Sequence, residues 1–488
     1  MAKQLFKPAL LISALAALCF LWSCSNDDDV NTGIDVSNLT QAVSSPRGTT
    51  INITFDVAAS GGVQSVTATA EGQTSNPVTV VDNGTSSNVS FDYTVPGTAT
   101  LGQTFAIDFT VTENSGSMSE VNVVVTASEV ISTPTTFEFT RDGVSTVSFS
   151  GQNDRLNQVE EIKDLLKLAD AGQVISEQAL LDMFENTGDN GNGNFSFTSD
   201  RQLKNKTFAP DLDDRLYENL FAAVATASVA GNNGTQAANG TAGLITRENS
   251  GNTILVNEKG HEFTQFIEKG LMGSVFYNQI FNVYLTDVRI GNDVENYALR
   301  DGSNYTDMEH HFDEAYGYWN APVDFTSPWP SERSSEDRFW SHYSNVVDNV
   351  NGGLLGTNKI VQDAFIAGRT AIVNNDLTEK DAQRDVLYEQ LELVAAATAL
   401  HYINSTITEL GNGNTGEAFH VLSEAWAFTN ALKYSPRKAI TLEQISTIQN
   451  TDFGADGNFW NVTVAGLNTA KATLVSVYPA LDPVKDDL

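Results

Sequence analysis

The chain has 488 residues and a net charge of −34, from 61 acidic and 27 basic side chains. This charge disfavours nucleic-acid binding, which needs a positively charged surface, and it would repel an anionic membrane surface. At 41% hydrophobic residues the chain can bury substantial cores, and its length predicts two or three domains.

The N-terminus predicts secretion. Lys3 and Lys7 form a short basic region, and the apolar run Ala9–Leu21 is too short for a permanent membrane span, so residues 1–23 are predicted to be a signal peptide. Leu21-Trp-Ser-Cys24 resembles the lipobox of bacterial lipoproteins, which implies cleavage before Cys24 and lipidation of its sulfur. The alternative is a soluble secreted protein with a coincidental cysteine.

Residues 24–34 are predicted to be an acidic tether. Its Ser25-Asn-Asp-Asp-Asp29 run resembles the surface-export signal of Bacteroidetes lipoproteins. That resemblance implies a lipid-anchored protein of the outer membrane that faces the cell exterior. Because the other cysteine, Cys19, lies in the signal peptide, the mature chain is expected to have neither a disulfide nor a free thiol. Thiolate metal sites and cysteine-protease chemistry are thereby excluded, and any metal must be bound by imidazole, carboxylate or backbone oxygen.

Residues 35–130 have the alternation of strands. Apolar side chains recur at every second position in three runs, and this period marks strands with one buried face. The runs are Ile51–Val57, Val89–Val95 and Phe105–Val111. Asp82-Asn-Gly84 is a tight-turn signal between two strand segments. Short strands over about a hundred residues predict an immunoglobulin-like β-sandwich, and its composition suggests a spacer or docking module.

Residues 131–150 are predicted to be a linker and a short hairpin, with strands at Phe137–Phe139 and Val144–Phe149. From residue 151 to 488 the apolar spacing becomes helical. The predicted helices are Asn157–Asp170, Asp213–Val229, His261–Leu285, Thr378–Leu410 and Gly416–Tyr434. The first half of Pro322–Asn345 is expected to be a loop because prolines break helices.

One pattern occurs twice in the helical region: His-x-x-x-Glu-Ala-aromatic-small-aromatic. It starts at His310 with Glu314, and again at His420 with Glu424. Residues three or four apart share a helix face, so each copy presents an imidazole beside a carboxylate. Helical bundles build metal or cofactor sites from such pairs. The alternative is a duplicated buried helix whose polar groups satisfy each other, and the sequence leaves both interpretations open.

Several segments resemble the Bacteroidetes lipoproteins of domain of unknown function 4856, which are similar to imelysin-like proteins. The segments are Phe149–Arg155, Glu268–Gly273, His310–Trp319 and Ala418–Ala425. The resemblance implies an all-α fold of duplicated helical bundles. It also implies that expression of the protein is regulated by iron and that the protein has a suspected link to a metal or haem. The imelysin signature Gly-x-His-x-x-Glu places its ligands at His311 and Glu314, but Glu309 stands at the glycine position and is an additional candidate ligand. The candidate metal ligands are therefore His311, Glu314, His420, Glu424, His310 and Glu309.

The preferred hypothesis is a surface lipoprotein of iron or haem acquisition, binding iron, zinc or haem through these residues. The alternative is a non-catalytic scaffold that is accessory to an outer-membrane transporter complex, with a TonB-dependent transporter or another surface protein as partner. Metallopeptidase activity is disfavoured because the chain has no His-Glu-x-x-His motif. Of the remaining histidines, His261 is expected to be exposed at a helix start, and His401 is expected to be a core residue.

Overall fold

The computed structural model describes residues 33–70, 78–82 and 84–488. The predicted signal peptide, Cys24 and most of the acidic tether lie outside the described residues, as does part of the predicted turn at Asp82–Gly84. The chain forms two compact units. The first contains the described residues of Gly33–Val43, Thr49–Pro96 and Thr104–Val125, and the second contains Thr126–Leu488 with Ser44–Gly48 and Gly97–Gln103. The predicted order, a β domain followed by a helical domain, is confirmed.

Two four-stranded sheets form the β region among the described residues. The strands are β1 Ile34–Ser37, β2 Ala42–Pro46, β3 Thr50–Ala59, β4 Val63–Ala70, β5 Thr79–Asp82, β6 Ser86–Thr94, β7 Thr104–Glu113 and β8 Met118–Ser128. One sheet has the order β1-β3-β6-β5 and the other has the order β2-β8-β7-β4. The β1–β3, β3–β6, β5–β6 and β4–β7 pairs are antiparallel.

The inward faces of both sheets carry aromatic rings. Phe109 of β7 lies edge-on against Phe55 of β3, with 5.1 Å between ring centroids, and against Phe91 of β6 at 5.5 Å. All three side chains are buried. The period-two pattern therefore makes one core between the sheets, as expected for strands with one buried face. The immunoglobulin-like relationship remains a prediction.

A short hairpin precedes the first long helix. β9 (Thr140–Arg141) pairs with β10 (Val144–Ser145), so the strands are shorter than the sequence predicted. Phe137, expected in a strand, is buried in the helical unit, where its ring stacks on Tyr316 at 3.7 Å between centroids.

The helical unit contains α1 Ser150–Asp170, α2 Glu177–Glu185, α3 Ala209–Asp213, α4 Leu216–Asn232, α5 Phe263–Leu271, α6 Asp287–Ile290, α7 Asp307–Trp319, α8 Trp340–Asp348, α9 Thr357–Val373, α10 Leu377–Asn412, α11 Thr415–Ala431, α12 Leu442–Thr447 and α13 Val464–Val477. A second small ladder pairs β11 (Gly243–Thr246) with β12 (Thr253–Val256). The predicted single helix His261–Leu285 is α5 continued by π-helical turns at Met272–Tyr277 and Ile280–Tyr284.

The longest helix, α10, lies at the centre of this unit and packs against α8, α9, α11 and α13. Its segment Leu393–Leu400 is buried at every position, which is typical of a helix enclosed by other helices. Within the described residues, no helix is both long enough and apolar enough to cross a membrane.

Candidate functional site

The first copy of the repeated motif lies on α7, whose start is fixed by a capping box. Thr306 Oγ1 accepts a hydrogen bond from the backbone N–H of Glu309, and the Glu309 carboxylate accepts one from the Thr306 N–H at 2.7 Å. These bonds satisfy two backbone donors that a helix start leaves without partners. The cap fixes the side of α7 on which each motif residue lies.

Glu309 lies on the inner side of α7, among buried ions. Its carboxylate accepts hydrogen bonds from Arg141 Nη2 at 2.8 Å and Arg369 Nη1 at 3.0 Å. Burial opposes ionisation of Glu309, but the two guanidinium groups hold its pKa below the ordinary value. Arg369 Nε also donates to Asp313 at 2.8 Å. Glu309 is therefore part of an ion cluster and lies apart from the histidines of its own helix.

His311, His310 and Glu314 do come together. His311 Nδ1 lies 3.1 Å from Glu314 Oε2, and His310 Nε2 lies 3.8 Å from the same oxygen. Glu314 Oε1 accepts further hydrogen bonds from Gln152 Nε2 at 2.9 Å and Tyr284 Oη at 3.2 Å. Although burial opposes it, hydrogen bonding by His311 and the charge of His310 lower the pKa of Glu314 from 4.5 to about 2. Glu314 is thus a firmly ionised carboxylate.

These three residues line a cavity of about 570 Å³, called the basic cavity below. Five cationic side chains line it: Arg155, Arg201, Lys206, Arg289 and Arg300. Glu314 is its one carboxylate within the described lining. Burial, followed by the charge of Arg155, lowers the pKa of Lys206. The cations thus repel one another, and an anion in the cavity would relieve that repulsion.

The second copy of the motif lies on α11, and its histidine contacts a different carboxylate. His420 Nδ1 lies 2.6 Å from Oε2 of Glu262, the residue before α5. Burial acts against the charged imidazole, yet Glu262 raises the pKa of His420. Glu424 lies 3.8 Å from Lys269 Nζ, and the same ammonium group lies 2.6 Å from Glu268. Burial raises the pKa of Glu424.

His420 lines its own cavity of about 340 Å³, together with Glu262 and Asp170. We call it the carboxylate cavity. It shares no lining residue with the basic cavity. The structure therefore separates the six predicted ligands into His310, His311 and Glu314 in the basic cavity, Glu309 in the ion cluster, and His420 and Glu424 on α11. Among residues 33–70, 78–82 and 84–488, no three histidine, cysteine or acidic side chains are placed to hold a metal ion together.

The remaining histidines, His261, His342 and His401, line neither the basic cavity nor the carboxylate cavity. His261, expected to be exposed, is enclosed instead: its ring stacks on Phe266 at 4.5 Å, and its Nε2 lies 2.6 Å from the Gly457 carbonyl oxygen. Burial lowers its pKa to about 4, so this imidazole is neutral. The expectation was wrong because distant residues cover the helix start. Burial also lowers the pKa of His401 on α10.

The cations of the basic cavity were not found from the sequence. Arg155 ends one of the segments that carried the family resemblance, and basic residues are scarce in this acidic chain. That scarcity was the one feature of the sequence that could have drawn attention to Arg155. The other four cations are spread from position 201 to 300 and form no local pattern. Only the fold brings them together.

The family described as "Domain of unknown function (DUF4856)" matches residues 134–477. The chain belongs to this family. No curated protein matches it. The solved structure of a polysaccharide lyase is similar at 9% identity with a TM-score of 0.15, over 82% of this chain and 48% of that chain. The chain thus spans about half the length of the lyase, and this low TM-score supports no argument about fold or activity.

Proposed function

We propose that this protein is a ligand-binding protein and that the basic cavity binds an anionic ligand. The observation that carries the proposal is the gathering of five cations around one carboxylate, in a chain with 61 acidic and only 27 basic residues. Guanidinium and ammonium groups form their strongest hydrogen bonds with carboxylates and phosphates. An anion entering this cavity gains several such bonds.

The surroundings of Arg155 and Lys206 support this proposal, although Arg201 and Arg300 lie 3.3 and 3.7 Å from the carboxylates of Asp200 and Asp307. Arg155 uses Nε and Nη1 on the backbone carbonyl groups of Gln202 and Gly151, which orients its guanidinium plane. Lys206 has no ion-pair partner among the described residues, although its side chain is partly buried. A partly buried ammonium group without a counter-ion is costly unless an anion reaches it. The cationic side chains of the cavity are therefore preorganised for an anion.

A bare metal ion does not fit the same cavity. Five positive charges would repel it, and the Nε2 atom of His311 already faces Arg289 Nη1 at 3.4 Å. We therefore propose that iron, as cargo, is bound as an anionic complex, either a carboxylate chelate or haem with its propionates. His310, His311 and Glu314 have ligand types that iron accepts. The family resemblance to iron-linked proteins supports this ligand class.

A titration with matched ligands tests the proposal. The ligands are iron(III) citrate, citrate alone, haem and zinc chloride, and binding is measured by calorimetry and by the melting temperature, which rises when a ligand binds only the folded state. We expect iron(III) citrate or haem to bind and zinc chloride to leave the melting temperature unchanged. Binding of zinc alone would overturn the anion assignment. Equal affinity for citrate with and without iron would show that the cavity binds the anion but does not recognise iron.

Charge variants locate the binding. Lys206→Met and Arg155→Met each remove one cation from the cavity. Each should lower the affinity for the anion about tenfold, as expected for a lost charged hydrogen bond. Arg333→Met is the control, because Arg333 pairs with Asp324 and Glu336 outside the cavity. If Arg333→Met weakened binding as much as Lys206→Met, the effect would be one of overall charge and the cavity assignment would be wrong.

We further propose that the protein is anchored to the outer membrane by lipid on Cys24 and faces the cell exterior, where it delivers its ligand to a TonB-dependent transporter or another surface protein. The lipobox-like Leu21–Cys24 and the acidic run after it support this location. Cys24→Ala should release the protein from membranes, and protease added to intact cells should digest the wild type. Resistance of the wild type to that protease would contradict surface exposure.

A further inference from the structure

The carboxylate cavity has a charge balance opposite to that of the basic cavity. Asp170 at the end of α1, Glu262 before α5 and His420 on α11 line it, with Arg247 and Lys167 as its cations. Asp170 and Glu262 are buried, at 8% and 2% exposure. Two buried carboxylates in one cavity repel each other when both are ionised.

Most charges around this cavity already have partners. Glu262 is paired with His420 at 2.6 Å, and Arg247 Nε binds Glu417 at 3.1 Å. Lys167 extends outward and lies 3.5 Å from the exposed Asp164.

Asp170 differs, because its hydrogen-bond donors are neutral. They are the Leu255 backbone N–H at 2.8 Å and Thr264 Oγ1 at 2.7 Å. Burial and the charge of Glu262 accordingly raise the pKa of Asp170 to about 7. The cavity therefore has one carboxylate more than its cations neutralise.

A second, independent observation points to a ligand here. Gln265 on α5 lies in the wall between this cavity and a neighbouring one lined by Glu268 and Lys269. It is 7% exposed, and its Oε1 has no hydrogen-bond partner among the described residues. Its Nε2 donates weakly to Glu262 at 3.4 Å, which fixes the orientation of the amide. A buried acceptor without a donor costs free energy until a ligand supplies one.

We propose that the carboxylate cavity binds a small molecule through a primary ammonium group, with Asp170, Glu262 and Gln265 as its acceptors. An ammonium group has three N–H donors and one positive charge. It would supply the missing charge beside Asp170 and a donor for Gln265 Oε1. The volume of about 340 Å³ accommodates a molecule the size of an amino acid or an amino sugar.

This site is independent of the basic cavity and does not rest on an anionic ligand being bound there. The two copies of the motif have diverged: His310 and His311 lie among cations, whereas His420 lies beside two carboxylates. A metal ion is a weaker candidate for the carboxylate cavity, since no three potential ligands converge on one point in the described part of the chain.

The experiment uses two matched pairs of ligands on the full chain. Glucosamine is compared with glucose, and glycine with glycolate, so that within each pair only the amine is replaced by hydroxyl. We expect at least one amine to bind with about tenfold higher affinity than its neutral or hydroxy counterpart, measured by calorimetry. Binding of glucosamine alone would identify amino sugars as the source of the ammonium group, and binding of glycine alone would identify amino acids.

Asp170→Asn locates the binding. It removes the carboxylate that lacks a cation. Burying an ionised carboxylate costs free energy and burying a neutral amide costs less, so the variant should fold. Amine affinity should fall about tenfold in this variant. Glu177→Gln, an exposed acid on α2 that does not line the cavity, should leave the affinity unchanged. Equal binding of each amine and its counterpart, no binding by any of the four, or an equal loss in both variants would overturn the proposal.

Discussion

The carboxylates on the inner side of α7 show how tertiary contacts decide the role of a single residue. Glu309 and Asp313 are 1% and 0% exposed, and the guanidinium group of Arg369, also 0% exposed, contacts both. Burial, together with the negative charge of Glu309, raises the pKa of Asp313 to about 7 despite Arg369. This cluster connects α7 to α9 and leaves the opposite side of α7 to the basic cavity.

Arg369→Met should destabilise the protein by about 3–5 kcal/mol, because it leaves Glu309 and Asp313 buried with only Arg141 as a counter-ion. Urea unfolding of the variant and the wild type measures the difference. Arg333→Met is the matched control, since its ion pairs lie at the surface, and it should shift the midpoint little. A similar midpoint for both variants would show that the buried cluster adds nothing beyond a surface pair.

At the scale of the residue, the sequence predicted that His311 and Glu314 share a helix face, because a spacing of three is local. It did not predict that Glu309 belongs to an ion cluster, since Arg369 and Arg141 lie 60 and 168 positions away along the chain. Lys206 was missed for the same reason. Ligand binding by these residues remains a prediction.

At the scale of the element, the small residue of the repeated motif has a packing role. A Cβ atom on Gly317 would lie 2.6 Å from Phe149 Cβ and 3.0 Å from Gln152 Cβ. The absence of a side chain lets α7 approach the start of α1, where Gln152 donates to Glu314. Ala427 takes the equivalent position on α11 and is 1% exposed. The motif therefore combines a polar side with a close helix contact.

Gly317→Ala should lower stability by about 1–3 kcal/mol, because overpacking forces α1 and α7 apart. The same shift moves Gln152 away from Glu314, so ligand binding in the basic cavity should weaken as well. Gly411→Ala on α10 is the control: its added methyl group meets nothing within 4 Å, and it should be neutral or stabilise by up to about 1 kcal/mol. Thermal unfolding of both variants measures these changes. A Gly317→Ala protein as stable as the wild type would contradict the close packing.

Periodicity predicted most of the long helices, and α10 begins and ends within two residues of the prediction. It did not predict the π-helical turns after α5, because they change the hydrogen-bond register without changing which side chains are apolar. α1 starts at Ser150, seven residues before the predicted start, in a polar segment whose Gln152 and Arg155 are buried by contacts with distant residues.

At the scale of the whole molecule, the family match from 134 to 477 lies inside the second compact unit. That unit has its own apolar core, extending from Phe137 to Leu488. The start of its main segment, Thr126–Leu488, is held by contacts within the unit. Glu129 binds Arg141 at 2.6 Å, and the backbone of Ile131 forms two hydrogen bonds with the side chain of Asn374, at 2.7 and 3.0 Å. Domains with their own core can fold alone.

Two truncated proteins test this unit. Glu129–Leu488 and Thr135–Leu488 should both be soluble and mainly helical by circular dichroism, because both keep the core. The longer protein retains Glu129 and Ile131 with their partners, so it should melt about 1–3 degrees higher, as expected from about 1–2 kcal/mol of charged and neutral hydrogen bonds in a protein of this size. Identical melting temperatures would show that the segment before Thr135 does not stabilise the unit. A spectrum dominated by strands in either protein would contradict the assignment of a helical domain that folds by itself.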